Sequence, residues 1–297
     1  MIEKVLCQLP GTGLGNQLFP LMKAQLMAHL NGLPVSITNY HQLKIGPYLR
    51  GEKSKRNYLG YFKFQKNLVR DWLDRAKFFA LRSNVIDEPE VRLLTDPSEK
   101  KIYRFSRMPH WNNYFDQLKE HRKLVIKLFW ELLTDEIKIE VESKACPMIG
   151  VHIRMGDFRK LTAQEDFSKV GLVRTPENYF KDIIQSIRSI NGNNLPVSIF
   201  TDGRREELQE IFELENISLV EGNKDIVDLL LLSKSKIIVT SAGSTFSYWA
   251  GFLSDAPIIM HPDHIHEPLR GNIMYEGPLN SQNKSLVQSI TSIRSDG

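Results

Sequence analysis

An apolar segment that ends abruptly in charged residues constrains the fold of this chain more than any other feature. It runs from Met148 to Ile153, and Arg154 and Asp157 follow it closely. Such a short apolar run predicts a buried parallel strand with polar side chains at its carboxyl end. Ligands of open α/β sheets bind outside the carboxyl ends of the strands, and the planar guanidinium of Arg154 suits a phosphate. The alternative is that Arg154 and Asp157 form an ordinary ion pair on the surface. A ligand site is favoured because two further segments of the chain could converge on the same place.

Strand and helix patterns alternate through the second half of the chain. Strands are predicted at 148–153, 197–202, 217–221, 236–240 and 257–260, and helices at 176–190, 204–214, 225–234, 245–254 and 281–294. Thr175 is expected to cap the first of these helices, with Pro176 in its first turn, and Asp202 to cap the second. This alternation is typical of a doubly wound parallel sheet.

A strand, a glycine-rich turn, a helix and a second strand are also predicted near the start of the chain. A predicted strand at 4–9 leads through Gly13, Asn16 and Gln17 into a helix that ends near Gly32, and a second strand follows at 33–38. A dinucleotide fingerprint is excluded because Asn16 stands where its third glycine belongs and no acidic residue ends the second strand. A P-loop is excluded because no Gly-Lys-Ser/Thr sequence is present. A tight turn is one interpretation, and a backbone that approaches an anionic ligand closely is the other.

The two halves together predict an α/β protein with two Rossmann-like, doubly wound domains facing across a cleft. We place the N-terminal domain at residues 1–140 and the C-terminal domain at residues 141–297. The region 41–147 is less regular, with helices predicted at 67–79 and 113–133.

The segment Ser241–Ala250 is the second candidate for ligand contact. A predicted strand ends in small and hydroxylated residues, and Ser244 and Thr245 fall at the cap and first turn of the next helix. Hydroxyls beside the free N–H groups of a helix N-terminus suit a phosphate. Simple N-capping is the alternative, but it needs only one hydroxyl.

Asp228, in the first turn of a leucine-rich helix, is the third candidate. A carboxylate there complements the helix dipole in any protein. Its functional use would be to accept hydrogen bonds from the N–H groups of a base, for which guanine is suited.

Composition excludes several classes of protein. The chain has 297 residues and a formal charge of only +4, which gives no argument for nucleic acid. Two basic clusters suggest either a solvated surface or contact with an anionic membrane or an acidic glycan; they are Lys53, Lys55, Arg56, Lys63, Lys66 and Arg70, and Lys119, Arg122, Lys123 and Lys127. Cys7 and Cys146 are expected in or near the core as free thiols. With no signal peptide or spanning segment recognised, a cytoplasmic protein is expected, either free or membrane-peripheral.

A metal site is not expected. The histidines of the loop 261–267 lack the spacing and the distant partners of a metal site. No Asp-x-Asp pair occurs in the sequence, so a diphosphate would be stabilised by Arg154, hydroxyls and a helix dipole.

Four segments together resemble the α-1,2-fucosyltransferases of glycosyltransferase family 11. They are Gly13–Phe19, Gly60–Phe62, His152–Phe158 and Ser244–Ala250, and their order and spacing fit along most of the chain. The chain departs from the family at Met155, where a second Arg is usual, and in the segment before Phe246, where Asn-Ser-Ser/Thr is more common.

The resemblance implies a GT-B fold and a metal-independent, inverting transfer of fucose from GDP-β-L-fucose to a glycan, with α-1,2 linkage to galactose. No cofactor is implied beyond this donor substrate. It implies that Arg154 contacts the β-phosphate, that His152 and Asp228 face guanine, and that Ser244 and Thr245 contact phosphate. Gly13, Asn16 and Gln17 are further donor-binding candidates, and Asp157 is either the general base or a residue that orients Arg154.

In this interpretation, residues 1–140 form the acceptor side and residues 141–297 bind the nucleotide sugar. The partners are then a nucleotide sugar and an oligosaccharide, while the oligomeric state stays open. Three alternatives remain: a GT-B transferase for another GDP-sugar, a non-catalytic nucleotide- or glycan-binding module, and a nicotinamide-dependent oxidoreductase. The missing ribose-binding acid argues against the last.

Overall fold

The computed structural model describes residues 4–42, 45–49, 55–64, 67–80, 84–94, 101–271 and 274–294. Two members of the first basic cluster, Lys53 and Lys66, lie outside these ranges. The chain divides into two compact units, one formed by Met1–Ile45 and Arg56–Lys138 and the other by Gly46–Lys55 and Ile139–Gly297.

The first unit is built on a four-stranded parallel sheet. In chain order the elements are β1 (Lys4–Gln8), α1 (Leu14–Asn31), β2 (Val35–Thr38), α2 (Ile45–Leu49), α3 (Leu68–Ala80), β3 (Val85–Asp87), β4 (Ile102–Phe105), α4 (Arg122–Leu132) and α5 (Asp135–Glu142). Helix α2 falls almost entirely within the second unit, and α5 crosses the boundary between the units. The strand order is β2-β1-β4-β3, with every pair parallel.

The opening β–loop–α–β prediction for this unit is confirmed. Helix α1 begins after Gly13 and ends at Gly32, which adopts the left-handed conformation with φ 64° and donates its backbone N–H to the carbonyls of Ala28 and His29. The predicted helix at 113–133 is wrong in its first half, because the α-helix begins only at Arg122 and short 3-10 turns precede it. Strands β3 and β4 were not predicted.

The second unit contains a six-stranded parallel sheet. Its elements are β5 (Ile149–Ile153), α6 (Glu177–Asn191), β6 (Val197–Thr201), α7 (Gln209–Phe212), β7 (Ile217–Leu219), α8 (Asp225–Ser233), β8 (Ile237–Val239), α9 (Thr245–Leu253), β9 (Ile258–Ile259), β10 (Glu276–Gly277) and α10 (Lys284–Thr291). The strand order is β10-β9-β8-β5-β6-β7. From β5 the chain first winds outward through β6 and β7 and then returns to β8 on the other side of β5. The ends of β5 and β8 therefore form a topological switch point, where ligands of such sheets bind.

Two details of the second unit correct the sequence-based predictions. Thr175 does not cap α6; the N-cap is Pro176, and no side chain caps that end of the helix. The predicted helix at 204–214 is a 3-10 turn at Arg205–Glu207 followed by the four residues of α7. Cys7 is buried as expected, whereas Cys146 is exposed.

The central strand β5 is covered on both faces. Ile149, Val151 and Ile153 belong to a core cluster that includes residues of α6 and α10. On the other face a Cβ at Gly150 would collide with the side chains of Ser235 and Leu232, so this face is packed closely against the end of α8. Residues that alternate with the core cluster, including His152, share the face of Gly150. Among the described residues, no helix has the length and apolar character needed to cross a membrane.

Candidate active site

Three polar residues follow the carboxyl ends of neighbouring strands in the second unit. Arg154 follows β5, Asp202 follows β6, and Ser241 lies two residues beyond β8. Because the three strands are parallel and adjacent, these residues meet at one edge of the sheet, at its switch point.

Ser241 joins the end of β8 to the end of β5. Its hydroxyl, fully buried, donates to the carbonyl of His152 (2.9 Å) and accepts the backbone N–H of Arg154 (2.8 Å). On the other side, the Thr201 hydroxyl donates to the carbonyl of Ile153 (2.7 Å) and accepts the N–H of Gly203 (3.0 Å). The backbone that carries Arg154 is therefore fixed by both neighbouring strands.

The guanidinium of Arg154 lies between two carboxylates. Nη1 forms an ion pair with Asp202, and Nη2 forms one with Asp157. The guanidinium also lies over the ring of Phe158, 5.6 Å from its centroid. A guanidinium has five N–H donors. Within the described part of the chain, Nε–H and one donor on each terminal nitrogen make no further hydrogen bond, so they are available to an anion.

Asp202 organises the turn that follows β5. Its Oδ1 accepts the backbone N–H groups of Met155 (2.8 Å) and Gly156 (3.1 Å), while Oδ2 binds Arg154. The expectation that Asp202 caps the next helix is wrong, because Arg204 is the N-cap of the 3-10 turn. Asp202 instead contacts both the turn after β5 and the guanidinium of Arg154, and it fixes the position of each relative to the other.

The loop between β8 and α9 is held from inside. The Thr175 hydroxyl accepts the N–H of Ala242 (3.0 Å), and the Tyr248 hydroxyl accepts the N–H of Gly243 (3.0 Å). Gly243 has φ 68°, a conformation that favours glycine. Ser244 is the N-cap residue of α9, as predicted, yet its side chain makes no capping hydrogen bond. Simple N-capping therefore does not account for Ser244, and Thr245 begins the helix beside it.

His152 is buried and neutral. Its ring stacks on that of Phe246, with centroids 4.8 Å apart and planes at 24°. Burial lowers its pKa from 6.5 to about 3, against a smaller raising effect of Asp202. Nδ1 is buried and has no hydrogen-bond partner among the described residues. Buried polar atoms are normally hydrogen-bonded, so Nδ1 of His152 is a candidate for a hydrogen bond to a ligand.

Asp228 occupies the first turn of α8, half-buried, and accepts a hydrogen bond from Asn223 Nδ2 (2.8 Å). Its carboxylate is thus oriented by a neighbouring side chain and by the start of the helix. Asp225, in the same turn, is also half-buried.

The predicted glycine-loop residues belong to the first unit. Gly13 is the N-cap of α1 with an ordinary φ of −64°, and no described atom lies within 4 Å of where its Cβ would be. Neither the backbone conformation nor the packing requires glycine at position 13. Close approach of a ligand is the remaining reason for a glycine there. Gln17 is buried, and its amide donates to the carbonyls of Pro10 (2.8 Å) and Thr12 (3.3 Å), bracing the loop from inside. Asn16 lies in the first turn of α1.

The profile of glycosyl transferase family 11 matches residues 10–260. The chain belongs to glycosyl transferase family 11. The match covers both sheets except β1 and β10 and includes Arg154, Asp202 and the start of α9. No curated protein sequence gives a significant match.

Solved fucosyltransferase structures share the fold of this family member. Fucosyltransferase NodZ from Bradyrhizobium matches with a TM-score of 0.51 at 15% identity, covering 89% of this chain and 97% of that one. NodZ α-1,6-fucosyltransferase co-crystallized with GDP gives 0.50 at 14% identity, covering 88% and 95%. The fold is accordingly GT-B-like, with one Rossmann-like parallel sheet in each unit.

Met155, at which the sequence motif predicted a second Arg, is a core residue in this chain. It is buried in the same cluster as Ile153, and a Cβ at Gly203 would collide with its sulfur. The methionine at this position therefore packs between the segments that follow β5 and β6.

Sequence reasoning did not assign Asp202 or Thr175 to the site, and it placed Ser241 only in the candidate segment Ser241–Ala250, without its contact to the backbone of Arg154. Asp202 is the last residue of the predicted strand 197–202 and Ser241 directly follows the predicted strand 236–240, and this position at strand ends was the available signal. Thr175 lies far from Ala242 in sequence, and only the fold brings them together.

The histidine loop has no arrangement suited to a metal. His261 Nδ1 accepts the N–H of Asp263 (3.2 Å), and its ring packs against Phe167 and Tyr179. His264 Nε2 is 2.7 Å from the carbonyl of Phe167. In the described ranges, no three His, Cys, Asp or Glu side chains are grouped to hold a metal ion.

Proposed function

We propose that this family 11 member transfers fucose from GDP-β-L-fucose to a sugar hydroxyl of a glycan, with inversion and without a metal ion. The family membership supports glycosyl transfer, and NodZ, a fucosyltransferase with the same fold, was co-crystallized with GDP. The proposal rests on the guanidinium of Arg154, which is held between Asp202 and Asp157 at the switch point of the second sheet. The second unit is thereby assigned to the donor and the first to the acceptor.

The diphosphate is the group that this site suits best. In an inverting transfer the acceptor hydroxyl oxygen attacks the anomeric carbon from the face opposite the leaving group, and the hydroxyl proton leaves to solvent water. The bond from that carbon to the diphosphate oxygen breaks, and its electron pair stays on the diphosphate. Arg154 and the N-terminus of α9 offer donors and positive potential where this charge grows. Because Asp202 and Asp157 already fix the guanidinium, little reorganisation is needed during the reaction.

Asp157 is proposed to orient Arg154. Its carboxylate is engaged with Nη2, the contact expected of an orienting residue. If Asp157 were the general base, Asp157→Asn would remove the acidic limb of the pH–rate profile and leave GDP affinity nearly intact. For an orienting residue we expect GDP affinity to fall together with turnover, while the shape of the profile is retained.

The guanine base is assigned to His152 and Asp228. Asp228 would accept two N–H groups of the base, and the unpartnered Nδ1 of His152 provides a second polar group. At neutral pH His152 is uncharged, so it would recognise a base by hydrogen bonding and shape.

Transfer to galactose in α-1,2 linkage is the proposed outcome, on the strength of the family motifs at Gly13–Phe19 and His152–Phe158. The test is an assay with GDP-fucose and a galactose-terminated oligosaccharide, with the product linkage determined by NMR. A fucosylated product with α-1,2 linkage is expected. Transfer only from another GDP-sugar would overturn the donor assignment, and binding of GDP-fucose without transfer or hydrolysis would indicate a binding module.

A further inference from the structure

Helix α3 of the first unit turns most of its apolar side chains outward. The large exposed apolar residues of this helix, with their exposed fractions, are Leu68 (62%), Val69 (66%), Trp72 (62%), Leu73 (52%) and Phe79 (69%). A helix on a globular protein normally buries its apolar stripe. Here the apolar stripe faces solvent.

The exposed apolar residues form one continuous surface. At about 100° of rotation per residue, they share an arc of roughly 140° with Ala76 and Ala80. The opposite side of α3 faces the protein. There Asp71 is buried and accepts the backbone N–H groups of Asn39 (2.8 Å) and His41 (3.4 Å), and Phe78 packs against Leu6.

Basic residues border the apolar arc on both sides. The same helical geometry places Arg70 and Lys77 along one border and Arg75 along the other, and all three are exposed. The acidic residues of the helix lie away from this surface, because Asp71 is buried and Asp74 is half-buried on the inner side. The outward face of α3 is therefore apolar at its centre and positive at its edges.

A groove runs between α3 and the sheet beneath it. It has a volume of about 540 Å³, and its lining includes Trp72, Phe79, Arg75 and Arg104. Arg104 also forms an ion pair with Asp87. Cationic and aromatic side chains together suit an anionic headgroup with an attached apolar portion.

We propose that α3 binds the surface of an anionic lipid membrane, lying in the plane of the interface. Interfacial helices have this composition, with Trp, Leu and Phe on one face and Lys or Arg beside it. A helix of 13 residues is about 20 Å long and fits along a surface. Charge complementarity selects an anionic surface, since each basic residue near it adds attraction that salt weakens. The inference stands independently of the proposed transferase reaction.

Co-sedimentation of the full chain with vesicles tests the proposal. Vesicles of phosphatidylcholine alone are compared with vesicles that also contain phosphatidylglycerol. We expect binding to the anionic vesicles, weakened by salt, and little binding to the neutral ones. The double variant Trp72→Ser/Leu73→Ser removes apolar surface, and Arg70→Gln/Lys77→Gln removes charge. Each should lower the partition coefficient roughly tenfold or more. All four positions are exposed, and circular dichroism checks that the variants fold.

Helix α4 provides the matched control. It is also basic, but its apolar residues Val125, Leu128 and Phe129 are buried. Lys123→Gln/Lys127→Gln changes the charge as much as Arg70→Gln/Lys77→Gln does, and it should leave vesicle binding nearly unchanged. Equal loss in both charge variants, or equal binding to neutral vesicles, would overturn the proposal.

A second copy of the chain is the competing occupant of this face. Sedimentation velocity without lipid distinguishes it: a dimer that Trp72→Ser/Leu73→Ser abolishes, with no vesicle binding, would replace the membrane by self-association. Fucosyl transfer to a soluble acceptor should be the same in all α3 variants. A failure of the membrane proposal therefore leaves the transferase proposal untouched.

Discussion

The ion pairs of the Arg154 guanidinium with the carboxylates of Asp202 and Asp157 fix the geometry at the centre of the candidate site. Arg154 spans from Asp202 to Asp157 with different nitrogens of the same planar group. A lysine has a single ammonium on a flexible stem and cannot hold both carboxylates and also present a fork to a phosphate.

We therefore expect Arg154→Lys to retain the fold and to lose most turnover. Removing a donor that stabilises charge in the transition state commonly costs about 100- to 1000-fold in kcat. Steady-state rates with GDP-fucose measure the loss, and an unchanged thermal unfolding midpoint shows that the fold is intact. Near-wild-type turnover would contradict the assignment of Arg154.

Gly156 gives a second test of the same cluster. A Cβ at this position would collide with the carboxylate of Asp202, which holds Arg154. Gly156→Ala is therefore expected to displace Asp202, to weaken GDP binding and to lower kcat by about 100-fold. Gly171→Ala is the matched control, because Gly171 is exposed, has no positive φ and has no described atom within 4 Å of its Cβ position. Equal kinetics in the two variants would show that the geometry around Asp202 does not limit the reaction.

Strand β5 buries a histidine, and this links stability to pH. The pKa of His152 falls from 6.5 to about 3 through burial, so the unfolded chain binds a proton there more readily than the folded chain. Its contribution to stability is complete above pH 6.5 and is lost as pH falls from about 6.5 towards 3, by up to about 1.4 kcal/mol per pH unit.

His152→Gln should remove this part of the pH dependence. Urea unfolding at a series of pH values measures the slope of the unfolding free energy for both proteins. We expect the variant to be less stable than the wild type at neutral pH and to lose stability less steeply below pH 6.5. Parallel slopes would mean that His152 has the same pKa in the folded and the unfolded chain.

The first turn of α8 carries two aspartates, of which only Asp228 is assigned to guanine. Asp228→Ala should weaken GDP by about 1.5–3 kcal/mol, the worth of a hydrogen bond to a charged group. UDP and free diphosphate should be affected little. Asp225→Ala removes a similar charge from the same turn and serves as the control. Isothermal titration would contradict the assignment if both variants weakened all three ligands equally.

Elements with a strong local pattern could be predicted from the sequence, and elements that depend on their neighbours could not. Strands β5, β6 and β8 are apolar runs and were found, as was the glycine turn before α1. Strand β4 has only four residues and includes Arg104, so it lacks a local signal. It lies inside the first sheet because β1 and β3 pair with it from both sides.

The candidate site was predictable to the same extent. Arg154, Ser244 and Thr245 stand at strand ends or helix starts, which local patterns reveal. The role of Asp202 was not visible, because an Asp before a helix resembles an ordinary cap and its true partners lie about 47 residues away. Thr175 was misassigned for the same reason, since its hydroxyl binds a loop 67 positions further along.

Charge balance in the whole molecule bears on how a diphosphate is held. The net charge is only +4, so general attraction contributes little, and binding depends on local groups. In the proposed donor site these groups would be the guanidinium of Arg154 and the N-terminus of α9 with Ser244 and Thr245. Asp202 and Asp157 are already engaged by Arg154, so neither is arranged to recruit a cation to bridge the phosphates.

We therefore expect GDP to bind with the same affinity in excess EDTA and in excess Mg²⁺. Isothermal titration of the full chain with GDP under both conditions measures this directly, and UDP serves as the base control. Arg154→Lys should weaken GDP under both conditions to the same degree, because the guanidinium supplies the charge that a metal ion supplies in metal-dependent transferases. If EDTA abolishes GDP binding and Mg²⁺ restores it, the diphosphate is held through a metal ion, and Arg154 has at most a supporting role in donor binding.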